Sequence, residues 1–220
     1  MDNLARRLTA EFAGTCLLVA AVVGSGIMAD NLTNDVALAL LCNTIATAAA
    51  LVVLISVFGP LSGAHFNPAV SLVMLLMREM PLAAFLSYCL AQVLGGIAGT
   101  LLAHAMFDLP LAQVSAHVRT GGGQWLAEFI AAFGLLLTIM TVRKSNPANI
   151  ATLIGLYIAA AYWFTASTSF ANPAVTIARA LTDTFSGIRP VDVPGFILAQ
   201  LGGALAAMAF VLFLEQGSKR

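Results

Sequence analysis

Long apolar stretches alternate with short polar ones along this chain. Six of the apolar stretches are long enough to cross a bilayer, because a helix needs roughly 20 apolar residues to span the hydrocarbon core. They cover residues 8–28, 36–58, 81–107, 122–142, 148–170 and 194–214. Two shorter stretches, at 68–77 and 173–182, lie between the second and third spans and between the fifth and sixth. The pattern predicts an all-α membrane protein with six transmembrane helices and two re-entrant half-helices.

Both short stretches are introduced by the same four residues, Asn-Pro-Ala-Val, at 67–70 and at 172–175. Asparagine is a good N-cap and proline is favoured at the first helical position, so each copy predicts the start of a helix. A helix can begin inside a membrane only where protein shelters its N-terminus or where it lines a water-filled cavity. Two such starts predict a pore, although the asparagines could also serve only as caps. The residues expected at the pore centre are Asn67, Pro68, Ala69, Asn172, Pro173 and Ala174.

Other segments repeat at a similar spacing. Ala-Glu-Phe opens the first span and the fourth, with its glutamates at Glu11 and Glu128. Leu-Ala-Gln occurs in the third span and the sixth, ending at Gln92 and Gln200. The offsets between these pairs agree within the length of a loop, which indicates an internal duplication.

The duplication divides a single channel domain, residues 1–220, into halves of about 1–112 and 122–220. Three spans separate equivalent points, and an odd number of spans turns the second half upside down in the membrane. The two half-helices are therefore expected to enter from opposite faces, with their N-termini meeting near the midplane.

The composition agrees with a membrane protein and excludes several other classes. Hydrophobic residues make up 60% of the chain and charged residues 9%, and the formal net charge is zero. With no run of basic residues, we expect no nucleic-acid partner. The three cysteines lie in apolar segments without the spacing of metal ligands, so we expect neither a metal site nor a cofactor.

The basic residues are distributed unequally between the two predicted sides of the membrane. One side collects Arg6, Arg7, Arg78, Arg143, Lys144, Lys219 and Arg220. The other side has Arg119, Arg179 and Arg189. Since basic residues favour the cytoplasmic side, this bias predicts a multi-pass protein of the cell (inner) membrane with both termini in the cytoplasm.

The two Asn-Pro-Ala-Val segments, taken with their flanks, point to a known family. Ser-Gly-Ala-His-Phe-Asn-Pro-Ala-Val at 62–70 and Phe-Ala-Asn-Pro-Ala-Val at 170–175 resemble the signature loops of the aquaporin and glycerol-facilitator (major intrinsic protein) family. The resemblance covers nearly the whole chain and includes the paired glutamates and glutamines. It implies an aquaporin-like bundle in the lipid bilayer, a homotetramer with one pore in each subunit, and a channel rather than an enzyme.

The resemblance also suggests roles for the repeated polar residues. Glu11 and Glu128 are expected to accept hydrogen bonds from the irregular backbone that leads into each half-helix, with proton relay as the alternative. Gln92 and Gln200 are expected to bond to loop carbonyls or other buried polar groups. In the family, the histidine at the position of His65 lines the cytoplasmic half of the pore. A pH-sensitive group or a packed, non-titrating histidine are the alternatives.

The chain departs from the family pattern at Val175. Members commonly carry an arginine immediately after the second Asn-Pro-Ala, where it narrows the outer constriction and repels cations. The other positions of that constriction fall, by the family spacing, at Thr47, Ala160 and Ser169. This selectivity filter is expected to be wide, uncharged and free of aromatic groups. Arg179 could replace the missing charge, or could lie at the outer mouth and bond to carbonyls or to Asp183.

We therefore predict a passive channel for small neutral solutes through an arginine-free filter. The segment 172–185 is similar to a bacterial branch associated with arsenic resistance, which favours trivalent metalloid hydroxides such as arsenous acid, conducted together with glycerol and water. A glycerol and water facilitator without a metalloid role is the alternative. A structural membrane protein and an intramembrane serine protease using Ser62 and His65 are more remote alternatives.

Overall fold

Eight α-helices form the fold in the computed structural model, which describes residues 4–217. The helices are α1 Leu4–Leu32, α2 Val36–Ser62, α3 Pro68–Leu76, α4 Leu82–Met106, α5 Gly122–Ser145, α6 Ile150–Phe164, α7 Pro173–Arg179 and α8 Val193–Gly217. Six of them are long and apolar enough to cross a membrane. In two of these spans, a short 3₁₀ turn precedes the helix, which is α6 or α8, and forms part of the span. The short helices α3 and α7 are the two half-helices. The predicted fold is confirmed, while the exact division into halves stays a prediction.

The largest difference from the predicted boundaries concerns the fifth span. The apolar pattern continues to residue 170, but α6 ends at Phe164. The chain then enters a loop in which Thr168, Ser169 and Ala171 adopt positive φ angles of 60°, 52° and 48°. The prediction placed the end of this helix too late because an apolar composition indicates a buried segment but not its conformation. This loop is buried by protein, so its composition resembles that of a helix.

Polar groups are buried within the apolar core of the bundle, while large apolar side chains remain exposed on its outside. Glu11 and Gln92, in α1 and α4, are completely buried. In contrast, leucines on the outer surface of the helices remain exposed, for example Leu90 at 60% and Leu198 at 71%. This distribution suits a multi-pass protein whose outer surface meets lipid and whose interior holds the polar groups.

Close helix contacts lie at equivalent places in the two halves. A Cβ atom added to Gly95 of α4, three residues after Gln92, would lie 2.4 Å from the carbonyl oxygen of Phe12 in α1. One added to Gly203 of α8 would lie 2.1 Å from the carbonyl oxygen of Phe129 in α5. The glycines therefore let the helix backbones touch, as small residues do at helix interfaces in membranes.

Charged residues mark the two ends of the bundle. At one end, which we name the terminal face, Arg143 of α5 pairs with Glu79, which follows α3, and Lys144 pairs with Glu215 near the end of α8. At the other end, the opposite face, the loop between α4 and α5 carries Arg119. Lys219 and Arg220 lie outside the described residues. The cytoplasmic location of the terminal face stays a prediction.

Replacing Gly203 with alanine is expected to destabilise the bundle. The new methyl group would meet backbone atoms of α5, and backbone cannot move aside as a flexible side chain can. Overpacking of this kind costs roughly 1–3 kcal/mol. Thermal unfolding in detergent should show a lower midpoint for Gly203→Ala. Gly123→Ala is the control, because a Cβ at Gly123 would have open space around it. Equal midpoints for both variants would contradict the proposed contact.

Candidate functional site: a pore between two half-helices

The two asparagine loops are joined by reciprocal hydrogen bonds. The Asn67 Nδ2 atom donates to the carbonyl oxygen of Ala171, and the Asn172 Nδ2 atom donates to that of Phe66, both at 2.8 Å. Each Oδ1 atom also caps its own half-helix by accepting from the amide two residues later, at 2.9 Å. The N-termini of α3 and α7 are thus held against each other.

Both asparagines also lie on the wall of a cavity at this junction. An amide nitrogen carries two hydrogen atoms, and the bond between the loops uses one of them. The second hydrogen of Asn67 and of Asn172 is available to a molecule in the cavity. The remaining residues of the two motifs start the half-helices, with Pro68 and Pro173 at their first positions and Ala69 and Ala174 completely buried behind them.

Buried carboxylates support the two loops from behind. Glu11 accepts hydrogen bonds from the backbone amides of His65 at 3.0 Å and Phe66 at 2.7 Å. Glu128 accepts from those of Phe170 and Ala171, both at 2.9 Å. Both carboxylates are completely buried. Because their oxygens are occupied by loop donors, this geometry favours the structural role over proton relay.

A glutamine extends each of these networks. The Gln92 Nε2 atom donates to Glu11 at 2.8 Å and to the Ser71 hydroxyl at 3.0 Å. In the other half, the Gln200 Nε2 atom donates to Glu128 at 2.5 Å and to the Thr176 hydroxyl at 2.8 Å. The glutamines therefore contact carboxylates and hydroxyls. The sequence analysis missed these two hydroxyls, although each lies four residues after its asparagine.

The loops hold non-glycine residues in the left-handed region at matching positions. The φ angles are 48° at Ala64 and 49° at Phe66 in the first loop, and 52° at Ser169 and 48° at Ala171 in the second. Such conformations cost about 1–3 kcal/mol each and persist only where the surroundings fix them. The hydrogen bonds to Glu11 and Glu128 provide that fixation, and they turn the loop carbonyls toward the opposing asparagine.

The cavity between the loops is small, with a volume of about 70 Å³. Three of the four predicted filter residues lie on its wall: Thr47, Ser169 and Val175. Ala160 does not, because it lies on the exposed surface of α6. Tyr162 takes its place, buried, with its hydroxyl donating to the Thr47 hydroxyl at 3.2 Å. Two residues along a helix correspond to about 200° of rotation, so a two-residue error in the family spacing turned the predicted side chain outward.

Arg179 requires a second correction, because it also lies on the wall of this cavity. It is buried, its Nε atom donates to the carbonyl oxygen of Ser186, and its guanidinium carbon lies 3.3 Å from the ring centre of Phe170. Of the two bonding alternatives for Arg179, the structure shows the bond to a carbonyl; within residues 4–217 no salt bridge joins Arg179 to Asp183, whose carboxylate accepts from the amide of Ala116. The expected arginine-free filter without charge or aromatic groups is not confirmed, because Arg179, Tyr162 and Phe170 lie on the same wall as Thr47, Ser169 and Val175. Arg179 lies one helical turn beyond Val175 on α7, which brings both side chains to the same face.

His65 lies where the cavity meets a wider vestibule on the terminal face. Its Nδ1 atom is 3.0 Å from the Ser71 hydroxyl, and its ring packs 5.3 Å from that of Tyr88. The vestibule has a volume of about 660 Å³ and includes Glu79 and Arg143 in its wall. The two hydrogen bonds from Arg143 hold the pKa of Glu79 below its usual value. His65 is both a wall residue and a packed one, and a pH-dependent role for it stays a prediction.

The sequence analysis missed a second buried histidine. His104 of α4 is completely buried, with its Nδ1 atom 3.0 Å from the carbonyl oxygen of Leu111 and its Nε2 atom 2.8 Å from the Thr182 hydroxyl. It therefore ties the loop on the opposite face to the segment after α7. It lies in an ordinary apolar span with no repeated motif around it, so no signal marked it. Within residues 4–217, no cluster of three or more histidine, cysteine or acidic residues could hold a metal ion.

Comparisons with known proteins agree with this geometry. Residues 2–169 and 144–220 match the family model described as Major intrinsic protein. The chain is 60% identical over 217 residues to the aquaglyceroporin AqpS of Rhizobium meliloti (strain 1021), covering 99% of this chain and 93% of that protein. It is 32% identical to a probable TIP-type aquaporin of Medicago truncatula, over 94% of this chain and 86% of that one.

A solved structure supports the fold in the same way. The X-ray structure of the aquaglyceroporin from Plasmodium falciparum matches with a TM-score of 0.72 and 23% sequence identity. The match covers 94% of this chain and 95% of that one. At this level of identity, the likeness concerns the arrangement of the helices alone.

Glu128→Gln is expected to destabilise the protein by about 2–4 kcal/mol. In the unchanged protein, the Glu128 carboxylate accepts hydrogen bonds from three buried donors, two backbone amides and the Gln200 side chain. Hydrogen bonds to a charged group are stronger than those to a neutral one. The amide group of the new glutamine would leave at least one loop N–H unpaired. Thermal unfolding in detergent measures the loss. Glu215→Gln is the matched control, since Glu215 is a partly exposed carboxylate that pairs with Lys144 and such pairs contribute little. A Glu128 variant as stable as the control would refute the supporting role.

Proposed function

This chain belongs to the major intrinsic protein family, and from that premise we propose that it is a passive transmembrane channel for small neutral solutes. The solutes are water, glycerol and trivalent metalloid hydroxides such as arsenous acid. The observation that carries the proposal is the cavity onto which Asn67 and Asn172 both open, at the meeting point of two half-helix N-termini.

The chemistry of the cavity favours neutral molecules over cations. The N-terminal ends of helices carry partial positive charge, and the free amide hydrogens of Asn67 and Asn172 are donors. Other parts of the cavity wall are apolar and include Leu18, Val22 and Leu51. A cation would lose its hydration there without gaining an acceptor, which is costly. A hydroxylated solute keeps hydrogen bonds to the polar groups and apolar contact with the other parts of the wall.

The constriction near the opposite face supports solutes with several hydroxyl groups. The Ser169 hydroxyl is buried in the cavity wall and lacks a hydrogen-bond partner in the described part of the chain. Val175 adds an apolar surface to the same wall, where a longer side chain would take up part of the cavity. Glycerol and arsenous acid each carry three hydroxyl groups, so the same polar positions serve both. The relative from Rhizobium meliloti, named an aquaglyceroporin, supports this solute class.

The alternatives fit the geometry less well. A serine protease would need a serine paired with a base, but the Ser62 hydroxyl donates to Glu11 at 2.6 Å while the His65 ring contacts Ser71. A purely structural membrane protein would not require a cavity with Asn67, Asn172 and Ser169 in its wall. A glycerol and water facilitator without a metalloid role is the closest alternative, and transport of arsenous acid distinguishes it from the proposal.

Location and assembly follow the family premise. We propose that the terminal face lies in the cytoplasm at the cell (inner) membrane, as the distribution of basic residues favours. We also propose a homotetramer with one pore in each subunit, by resemblance to the family. The apolar outer surfaces of the helices would then face either lipid or a neighbouring copy.

Stopped-flow measurements on proteoliposomes test the proposed function. Water, glycerol, urea and arsenous acid are compared in vesicles with the protein and in empty vesicles. We expect faster osmotic shrinkage with the protein and faster re-swelling with glycerol and arsenous acid, without proton leakage. Conduction of glycerol but not of arsenous acid would favour the facilitator alternative. Rates equal to those of empty vesicles for every solute would refute the channel.

Val175→Arg is expected to lower the flux of glycerol and arsenous acid several-fold more than that of water. The long side chain would enter a cavity of about 70 Å³ and bring a second guanidinium one turn from Arg179. Val175→Met separates the two effects, because methionine fills similar space without charge. Equal losses in both variants would assign the effect to size alone. Unchanged glycerol flux in Val175→Arg would contradict the position of Val175 at the constriction.

A further inference from the structure

Two guanidinium groups share one aromatic ring at the opposite-face end of the cavity. The guanidinium carbon of Arg179 lies 3.3 Å from the ring centre of Phe170, and that of Arg119 lies 5.1 Å from it. Cations are attracted to the face of an aromatic ring within about 6 Å. Phe170 is itself buried and lines the cavity two residues before Asn172. The ring therefore connects the asparagine loop to both arginines.

Arg119 is fixed although it belongs to a loop. Its Nε atom donates to the carbonyl oxygen of Gly187 at 2.7 Å, and one terminal nitrogen donates to that of Ser167 at 3.3 Å. Its backbone amide donates to the Asp192 carboxylate at 2.9 Å. These bonds join the loop between α4 and α5 to the segments that follow α6 and α7. Burial lowers the pKa of Arg119, but an arginine stays charged in proteins.

Arg179 is anchored on one side and free on the other. Its Nε atom donates to the Ser186 carbonyl, and its own carbonyl oxygen accepts from the amide of Ile188 at 3.2 Å. Its two terminal nitrogens make no hydrogen bond with the residues described, and its side chain lines the cavity. No acidic side chain in residues 4–217 forms a salt bridge with it. The free donors and the unpaired charge are available to whatever enters the cavity.

We propose that Arg179 is the specificity-determining residue at the outer constriction and that Arg119 is a positioning residue that holds it there through Phe170. The inference rests on the proposed channel function and assigns the selection of solutes to these side chains. Arg179 donates to solute hydroxyls and repels cations. Because it lies four residues beyond Val175, its Cα is about 6 Å further along α7. Charge and width are then set at two successive points of the pore.

Three variants test the proposal in proteoliposomes. Arg179→Met and Arg119→Met remove one charge each and keep much of the side-chain volume. Arg78→Met is the matched control, because Arg78 is exposed in the turn that follows α3. The measurements are the ratio of glycerol to water permeability and the uptake of methylammonium ion. Circular dichroism and size-exclusion chromatography establish that each variant is folded.

We expect Arg179→Met to raise the uptake of methylammonium ion, although the half-helix N-termini still limit it, and to change the glycerol-to-water ratio by about tenfold, the effect typical of losing a charge-assisted hydrogen bond. Arg119→Met should act in the same direction but less strongly, and Arg78→Met should resemble the unchanged protein. The double variant Arg119→Met/Arg179→Met should match Arg179→Met alone, because a positioning residue acts only through its target.

The outcomes separate this proposal from the proposed function. If the unchanged protein conducts neither water nor glycerol, the channel itself is refuted. If it conducts both and Arg179→Met keeps its ratio and still excludes methylammonium ion, the channel stands and the role of Arg179 is overturned. An independent, additive effect of Arg119→Met in the double variant would overturn the positioning role alone. If Arg179→Met does not fold, the test relies on Arg119→Met. An unchanged ratio of glycerol to water permeability and unchanged exclusion of methylammonium ion in that variant would contradict the proposal.

Discussion

The whole structure depends on satisfying loop backbone that lies inside a membrane. Two helices begin within the bundle, and the chain leading into each one has amide groups that no helix or water can pair. Glu11 and Glu128 supply the acceptors, each for two consecutive amides. A carboxylate contributes about 1.5–3 kcal/mol for each such bond, which is similar to the strain of a residue held at positive φ. The loops are therefore stable only while these carboxylates remain in place.

Once the loops are fixed, the central site follows from their geometry. The left-handed residues turn the carbonyls of Phe66 and Ala171 toward the partner loop, where the asparagine amides bind them. Each of these bonds uses one amide hydrogen and leaves the second hydrogen of Asn67 and of Asn172 free at the cavity wall. Support, strain and solute-facing donors thus form one connected network in each half. Damage to a buried glutamate should consequently affect the pore as well as the stability.

Duplication in the sequence predicted the central and supporting residues of the site, whereas most side chains that occur once were either missed or given no definite position. The asparagines, glutamates and glutamines of the site occur twice at similar spacing, so the internal duplication identified them from the amino-acid sequence alone. Tyr162, Arg179 and His104 have no such copy. The position of Tyr162 depends on where α6 ends, and hydropathy cannot give that point because the loop that follows is as buried as a helix. The direction of Arg179 depends on the Ser186 carbonyl and the Phe170 ring, which only folding brings together.

The break in symmetry lies further along the half-helices than the repeated motif suggests. Val70 and Val175 occupy equivalent positions, three residues after their asparagines, and both line the cavity. Seven residues after the asparagines, the two halves differ: Met74 lines the wide vestibule, while Arg179 lines the small cavity. A guanidinium group lies near both Met74 and Arg179. A terminal nitrogen of Arg143 lies 3.1 Å from the Met74 sulfur. Arg119 stacks on the same Phe170 ring as Arg179. At this position of an otherwise duplicated frame, Arg179 therefore adds a guanidinium to the wall of the small cavity, whereas Met74 adds no charge to a vestibule wall that already contains Glu79 and Arg143.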